Sequence, residues 1–204
     1  MQGPRKSAAW PIIGRVTARR SYAKGIAKRE EVLRAGLAVF AENGYQKTSI
    51  RELAEAANLS QAGLLHYFGS KEELLVAILD RREQENHQKG TDSDDLDLFF
   101  DVVRRNVAVP GLAQLFAVMS TCAIEASHPA HEFFLDRNER LRQRLGDTIL
   151  ARQRAGEITS ALDAARIATL LIATADGLQV QWLIDPEVEM SAVLDDLWTL
   201  IRTT

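Results

Sequence analysis

Hydroxyl-bearing residues precede three short apolar runs in the N-terminal half of this 204-residue chain. Ser49 is followed by Glu52 and Ser70 by Glu73, and this three-residue spacing is typical of a capping box at a helix start. Ser60 is placed to cap a helix between these two. A helix start presents free backbone N–H groups and the positive end of the helix dipole, which favour anions such as phosphate. The chemistry indicated is therefore non-covalent recognition of a polyanion.

The elements that position these hydroxyls are two short helices joined by a tight turn. After Ser49, one apolar face recurs at i, i+3, i+4 and i+7, formed by Ile50, Leu53, Ala54 and Ala57. Asn58 follows, and Asn tolerates the left-handed backbone conformation that ends a helix. Two helices around such a turn predict a helix-turn-helix, whose second helix enters the major groove of DNA.

The segment resembles the DNA-binding domain of the tetracycline-repressor (TetR) family of bacterial transcription regulators. The stretches that carry the resemblance are Arg29–Leu33, Ala38–Tyr45, Thr48–Ala54, His66–Phe68 and Ser70–Leu75. Two positions depart from the family pattern. Asn58 stands where Gly is frequent, and Leu65 stands where Tyr is frequent in the recognition helix, so a DNA contact at that position is left open.

The resemblance implies an all-α fold of about nine helices, three for DNA binding and six for ligand binding and dimerisation. We expect a flexible basic arm over 1–24, a helix-turn-helix domain over 25–70 and a ligand-binding and dimerisation domain over 71–204. Turn residues and apolar periodicity predict the remaining helices. Their predicted bounds are Gly25–Asn43, Lys71–Lys89, Asp94–Ala108, Gly111–Ser127, Ala130–Ala155, Ala161–Ile184 and Pro186–Arg202.

The start of the recognition helix holds the residues expected to read bases. Gln61 can pair with adenine and Ala62 can contact a thymine methyl group, because the N-terminal part of this helix reaches base edges. Gly63 would allow a close approach to the groove. A capping role alone is the alternative for Ser60.

Phosphate contacts are implied by the resemblance at five positions. They are Thr48, Ser49, His66, Tyr67 and Lys71. Ser49 and Lys71 stand at helix starts, where backbone amides favour an anion. The alternative is that the two hydroxyls only cap a helix and that the aromatic pair only packs.

Charge is distributed unevenly along the chain, although the net charge is only -3. Residues 1–82 carry 14 Lys and Arg against 8 Asp and Glu, whereas the remainder is acidic. A basic N-terminal part fits contact with a polyanion, and ordinary solvated charge is the alternative. The basic residues of the first 24 positions either contact DNA or have no role.

The single cysteine, Cys122, excludes an internal disulfide and fits a reducing cytoplasm. No apolar run indicates a signal peptide or a membrane span, so we expect a cytoplasmic protein that does not enter the membrane. No nucleophile elbow, phosphate loop or metal-ligand signature is present, and we therefore expect neither an enzyme nor a cofactor or metal site.

The last two predicted helices are rich in small and apolar residues, including Ala173, Gly177 and Val193. Such a pattern fits either an intramolecular core or close helix pairing. The resemblance favours a homodimer through these two helices, which matches a palindromic DNA operator.

Helices five to eight would enclose a chamber for a small, largely apolar effector. The candidate lining residues are Phe99, Val103, Phe116, Met119, Cys122, Phe134, Asn138, Asp176, Gln179 and Trp182. Core packing is the alternative for each of them. The sequence thus predicts a ligand-responsive regulator, most simply a repressor, and the competing hypothesis is a DNA-binding or interaction protein of the same fold without an effector.

Overall fold

The computed structural model describes residues 13–89, 94–158 and 162–203. Within these ranges the secondary structure consists of nine helices and no strand, which confirms the predicted all-α fold. The helices are α1 Ile13–Asn43, α2 Ile50–Ala56, α3 Gln61–Phe68, α4 Lys71–Lys89, α5 Asp95–Asn106, α6 Pro110–Cys122, α7 Ala130–Arg154, α8 Ala164–Ile184 and α9 Met190–Thr203.

The first helix is longer than predicted. It begins at Ile13, so the expected irregular arm is wrong for residues 13–24. Arg, Ala and Lys in this stretch have good helix propensity, and no proline follows Pro11 to interrupt the helix. The rest of the predicted arm lies outside the described residues.

The sixth helix is shorter than predicted, because turns replace its expected last part. It ends at Cys122 instead of Ser127. Two histidines stabilise the turn that follows: His128 Nδ1 accepts from the Ala130 backbone N–H at 3.1 Å, and His131 Nδ1 lies 2.8 Å from the Ala123 carbonyl oxygen. The predicted starts of α8 and α9 were also too early, by three and four residues.

The buried side chains form two clusters. The N-terminal cluster joins α1–α4 to α6 and the start of α7, with Phe40, Leu64 and Ile78 at its centre and Leu115 on α6. The C-terminal cluster joins α5 to α7, α8 and α9 around residues such as Ile167. Packing therefore continues from the predicted DNA-binding segment into α6 and α7.

The end of α1 and the start of α6 approach each other closely at Gly111. A Cβ placed on Gly111 would lie 2.0 Å from the carbonyl oxygen of Phe40 and 2.7 Å from the Cα of Gly44. Any larger residue at position 111 would clash with backbone atoms, which cannot move aside as a flexible side chain can. Glycine at this position thus sets how closely the first helix packs against α6.

The eighth helix is long and apolar enough, by length and composition, to cross a membrane. That property is also found in the core helices of many folds and is weak evidence for a membrane span. Here α8 packs against α6, α7 and α9, with Ile167 and Leu171 fully buried.

Candidate DNA interface and internal cavity

The start of α2 is held by a capping box, as the sequence predicts. The Glu52 backbone N–H donates to Ser49 Oγ at 3.2 Å, and the Ser49 backbone N–H donates to Glu52 Oε2 at 2.7 Å. The Ser49 hydroxyl also donates to Glu52 Oε2, at 2.9 Å. The two hydrogen bonds that this carboxylate accepts, from the Ser49 backbone first and the Ser49 hydroxyl second, lower the pKa of Glu52. The carboxylate therefore stays charged at the positive end of the helix dipole.

The turn into α3 also follows the prediction. Asn58 adopts a φ of 52°, the left-handed conformation expected at this position. The Leu59 backbone N–H then donates to the Ala54 carbonyl oxygen at 2.8 Å, which closes the end of α2. Ser60 caps α3, accepting from the Gly63 backbone N–H at 3.0 Å. The two short helices are consequently fixed by local hydrogen bonds.

One face of α3 is exposed and the other is buried. Leu64 and Phe68 lie in the N-terminal core. The exposed face begins with Ser60, Gln61 and Ala62 and continues to His66, while Gly63, Leu65 and Tyr67 are half-buried. The predicted base-reading residues therefore lie together on an accessible surface.

Thr48 is placed differently from the other predicted phosphate contacts. Its side chain is buried, and its hydroxyl donates to the Gly44 carbonyl oxygen at 2.7 Å. The resemblance implied a side-chain contact to DNA, but this placement argues against it. The role that the structure gives to Thr48 is to hold the loop between α1 and α2.

The end of α3 is attached to α1 by Arg29, a role that the sequence analysis did not predict. Its Nη1 donates to the Tyr67 carbonyl oxygen at 2.8 Å, and its guanidinium lies 4.3 Å from the centre of the Phe68 ring. Lys28 similarly donates to the Ala57 carbonyl oxygen at 2.6 Å, at the end of α2. Both cations lie at helix C-terminal ends, where positive charge is favourable.

The start of α4 provides a second exposed helix N-terminus beside α3. Ser70 caps it by accepting from the Glu73 backbone N–H at 3.0 Å, after Gly69 turns the chain with a φ of 76°. Lys71 is the first residue of the helix and is exposed. Ser49 and Lys71 are thus both exposed, each at the start of a helix. Tyr67, near the end of α3, is half-buried.

A cavity of about 120 Å³ lies among α4, α5, α6, α7, α8 and the start of α9. Its apolar lining residues are Leu79, Leu98, Phe99, Val102, Val103, Phe116, Leu141, Ala175 and Met190. Its polar lining residues are Arg82, Glu83, Asn86, His87, Asp95, Asn106, Arg137, Arg144, Asp176 and Gln179.

Ion pairs connect the helices across this cavity. Arg137 on α7 donates from Nε to Glu83 Oε1 on α4 at 3.2 Å, and its guanidinium lies 4.7 Å from the centre of the Phe116 ring. Arg144, also on α7, pairs with Asp95 on α5. These contacts neutralise two of the lining arginines.

A chain of hydrogen bonds crosses the cavity between four helices. Arg82 Nη2 on α4 donates to Asn106 Oδ1 at 2.8 Å, and Asn106 Nδ2 donates to Gln179 Oε1 on α8 at 3.0 Å. Gln179 Nε2 then donates to the Ala113 carbonyl oxygen on α6 at 3.4 Å. Burial lowers the pKa of Arg82 to about 10, which leaves it charged at neutral pH. Burial raises the pKa of Asp176.

Two family profiles match separate parts of the chain. That of the tetR family of bacterial regulatory proteins matches residues 32–78, which include the whole of α2 and α3. That of the C-terminal part of BetI-type transcriptional repressors matches residues 123–199. The chain belongs to the TetR family.

Curated relatives of this TetR-family protein are regulators that it matches over a limited length. It is 38% identical over 55 residues to the transcriptional repressor AcnR of Corynebacterium efficiens, covering 27% of this chain and 29% of that protein. It is 40% identical over 65 residues to the transcriptional regulator RutR of Escherichia coli K12, covering 32% of this chain and 30% of RutR. The matches thus span under a third of these relatives.

A solved structure supports the fold over most of the chain. A transcriptional regulator from Rhodococcus sp. Rha1 has a TM-score of 0.66 and 22% sequence identity, covering 85% of this chain and 95% of that one. At this identity the likeness concerns the arrangement of helices.

Half of the predicted lining residues of the TetR-family chain lie at the cavity. Phe99, Val103, Phe116, Asp176 and Gln179 line it. The two polar residues among them enter from α8, on neighbouring turns of one helix face.

The other five predicted lining residues are absent from the cavity wall, so those predictions are wrong for this structure. Met119 and Phe134 pack in the N-terminal cluster, and Trp182 packs in the C-terminal cluster. Asn138 Oδ1 accepts from Arg137 Nη1 at 3.1 Å, and Cys122 lies half-buried at the end of α6. An apolar residue on these helices can face either of the two buried clusters or the cavity, and the sequence does not distinguish these three environments.

The charged lining residues of α4 were missed. Arg82, Glu83 and Asn86, on the second half of this helix, line the cavity and were not among the predicted lining residues. The signal was present, since these residues follow Leu79 at i+3, i+4 and i+7 and therefore share its helix face. The sequence predicted a largely apolar chamber, whereas the cavity wall includes the charged residues Arg82 and Glu83.

Proposed function

We propose that this chain is a ligand-responsive, DNA-binding transcription regulator, most simply a repressor, that binds a palindromic operator as a homodimer. The observation that carries the proposal is the exposed first turn of α3, together with the exposed helix starts at Ser49 and Lys71. This arrangement fits base reading by one helix and phosphate binding by its neighbours. Membership of a family of regulators supports this role over catalysis, and such a protein would act in the cytoplasm.

The proposed DNA contacts divide into two classes. Gln61, Ala62 and Gly63 would meet base edges in the major groove, with Ser60 capping the helix that carries them. Phosphates would bind at Ser49, His66, Tyr67 and Lys71. Base contacts set sequence preference, whereas phosphate contacts fix the register and make binding salt-dependent.

An exposed apolar stripe on α8 supports the homodimer. The stripe consists of Leu170, Ala173, Gly177, Val180 and Ile184, which alternate at spacings of three and four residues and are all exposed. Ile184 is 80% exposed and Leu170 47%. The alanines at 164, 168 and 175 instead face the protomer core. A second copy of this helix is the simplest partner, because small residues permit close approach and a two-fold dimer matches a palindrome.

The cavity network provides a route from effector to DNA. Arg82 and Glu83 lie on α4, and one to two turns earlier on the same helix Leu75 and Ile78 pack in the core shared with α1. A ligand that binds better to one position of α4 would shift the population of dimers toward that position. The spacing of the two recognition helices would change with it.

The proposal is tested by selecting genomic fragments with the purified protein and measuring binding to the enriched site over a salt series. We expect a palindromic site and an affinity that falls steeply with salt. Weak binding that does not depend on the DNA sequence would contradict the proposed regulatory function. Specific DNA binding that no cavity ligand alters would favour the alternative of a protein without an effector.

A further inference from the structure

The charges around the cavity do not all find a partner. Two arginines form ion pairs, Arg137 with Glu83 and Arg144 with Asp95. The remaining cation is Arg82, from α4. The remaining anion is the Asp176 carboxylate, from α8. The internal pairing thus leaves one positive and one negative group among the residues that line the same cavity.

Arg82 is a largely buried cation whose hydrogen-bond partner is neutral. Its Nη2 donates to the side-chain amide of Asn106, and no ion pair to it is found in the described ranges. The nearby charges of Glu83 and Arg137 act on it in opposite directions. Burying a guanidinium without a counter-ion is costly, so the site favours an incoming anion.

Asp176 is the complementary case. Over residues 13–89, 94–158 and 162–203, its carboxylate accepts no hydrogen bond and forms no ion pair, although it is largely buried. Arg137 favours its charged form and Glu83 opposes it, so the Arg137–Glu83 pair supplies little net charge. A buried carboxylate without donors favours an incoming cation with N–H groups.

We propose that the effector of this cavity is a compact zwitterion, whose anionic group pairs with Arg82 and whose ammonium pairs with Asp176. The inference rests on the proposed function of the cavity as an effector site. A ligand with one charge would leave one buried group unpaired, whereas a zwitterion pairs both.

Cavity size limits the ligand to a small molecule. A cavity of about 150 Å³ accepts benzene, so about 120 Å³ holds a molecule of similar size unless the chamber widens. The methylene groups between the two charges would contact the apolar lining, including Leu79, Phe99 and Val103. An unbranched ω-amino acid has the required charges and volume.

The test is isothermal titration of the full-length protein with matched ligands. The zwitterions are glycine, β-alanine, γ-aminobutyrate and δ-aminovalerate, which vary the distance between charges. The comparison ligands are the carboxylate and the amine of the same chain length. We expect at least one zwitterion to bind at least about tenfold more tightly than either comparison ligand. The proposal is overturned if a singly charged ligand binds equally well, or if no zwitterion binds.

Two substitutions assign the ends of the ligand. In Arg82→Gln the best zwitterion should lose its advantage over the matched amine, and in Asp176→Asn it should lose its advantage over the matched carboxylate. Arg140→Gln and Asp147→Asn remove the same charges from exposed positions of α7 and should change neither preference. A purely structural role would weaken all ligands equally, which would contradict the proposal. Circular dichroism confirms that each variant is folded.

DNA binding by the ligand-free protein separates this inference from the proposed function. Specific operator binding without any zwitterion binding would refute the zwitterionic effector but not the proposed DNA-binding function. Tight zwitterion binding without any specific DNA site would refute the DNA-binding function but not the zwitterionic ligand. Release of operator DNA by the best zwitterion, and retention by Arg82→Gln, is the result expected if both are correct.

Discussion

Two buried polar residues at the cavity, Arg82 and Asp176, lower the stability of the ligand-free fold. Arg82 and Asp176 are ionisable side chains that are largely buried and form no ion pair in the described part of the chain. Such groups cost folding free energy, because the charged form loses its hydration. Residues that line a binding site are often destabilising in the same way, and ligand binding then stabilises the folded state.

Replacing Asp176 by Asn should stabilise the ligand-free protein at neutral pH. Burial raises the pKa of Asp176 above its ordinary value of 3.8, because the charged carboxylate loses hydration in the folded state. Its contribution to stability is fully present below pH 3.8 and is lost as pH rises through the raised pKa. The melting temperature of Asp176→Asn should therefore exceed that of the wild type at pH 7, and the difference should close as pH falls toward 3.8.

Thermal melts followed by circular dichroism between pH 4 and pH 8 test this prediction. Asp147→Asn, at an exposed position, is the matched control and should show no such convergence. A difference between Asp176→Asn and the wild type that stays constant with pH would show that desolvation of this carboxylate is not its cause.

Helix caps decide the local structure of the DNA-binding segment. Ser49→Ala should destabilise the protein by about 1 kcal/mol, because the start of α2 loses its side-chain acceptor. Urea denaturation measures the change. Ser127→Ala removes an exposed hydroxyl outside any helix and should be close to neutral. Equal stabilities of the two variants would contradict the importance of the cap.

At the scale of helices, the contact between α1 and α6 links the DNA-binding segment to the rest of the fold. The first helix packs against α2, α4 and α6, and Gly111 lets the end of α1 contact the start of α6 directly. Gly44 and Gly111 are far apart in the chain. Their contact therefore joins the DNA-binding segment to the helices that follow α4.

Gly111→Ala should be strongly destabilising, by about 1–3 kcal/mol or more, because its Cβ would overlap the carbonyl oxygen of Phe40. Gly25→Ala is the matched control in the middle of α1, where an added Cβ meets no atom within 4 Å. The control should be stabilised by about 0.5–1 kcal/mol, since alanine favours helix. Urea denaturation of both variants measures the changes, and similar changes in both would refute the close contact.

At the scale of the whole molecule, the exposed stripe of α8 predicts assembly. Gly177 is at the centre of the stripe, and nothing lies within 4 Å of a Cβ added there. Gly177→Trp should therefore leave the protomer folded while blocking the approach of a second copy. Light scattering should show a shift from dimer to monomer, with loss of tight operator binding.

Gly25→Trp is the matched control for assembly, because position 25 is equally open within the protomer but lies on α1. It should remain dimeric. A Gly177→Trp variant that stays dimeric at the same concentration would place the interface elsewhere on the molecule.

Local features of this protein were determined by sequence alone. The capping box at Ser49 and Glu52, the left-handed Asn58 and the apolar face of α2 around Leu53 were predicted, because each depends on residues within one or two turns. The same physics gave nine helices and most of their bounds. The end of α6 was mispredicted, since His128 and His131 favour a turn through contacts that periodicity does not reveal.

The cavity was decided by tertiary structure. Arg82 and Asp176 lie on helices far apart in the chain, and only the rotation and packing of α4 and α8 bring both to one cavity. The same packing sends Met119 and Trp182 into cores and leaves Gly177 exposed. Sequence specifies which helix face a residue occupies through short-range periodicity, whereas the neighbour of that face depends on long-range packing of the whole chain.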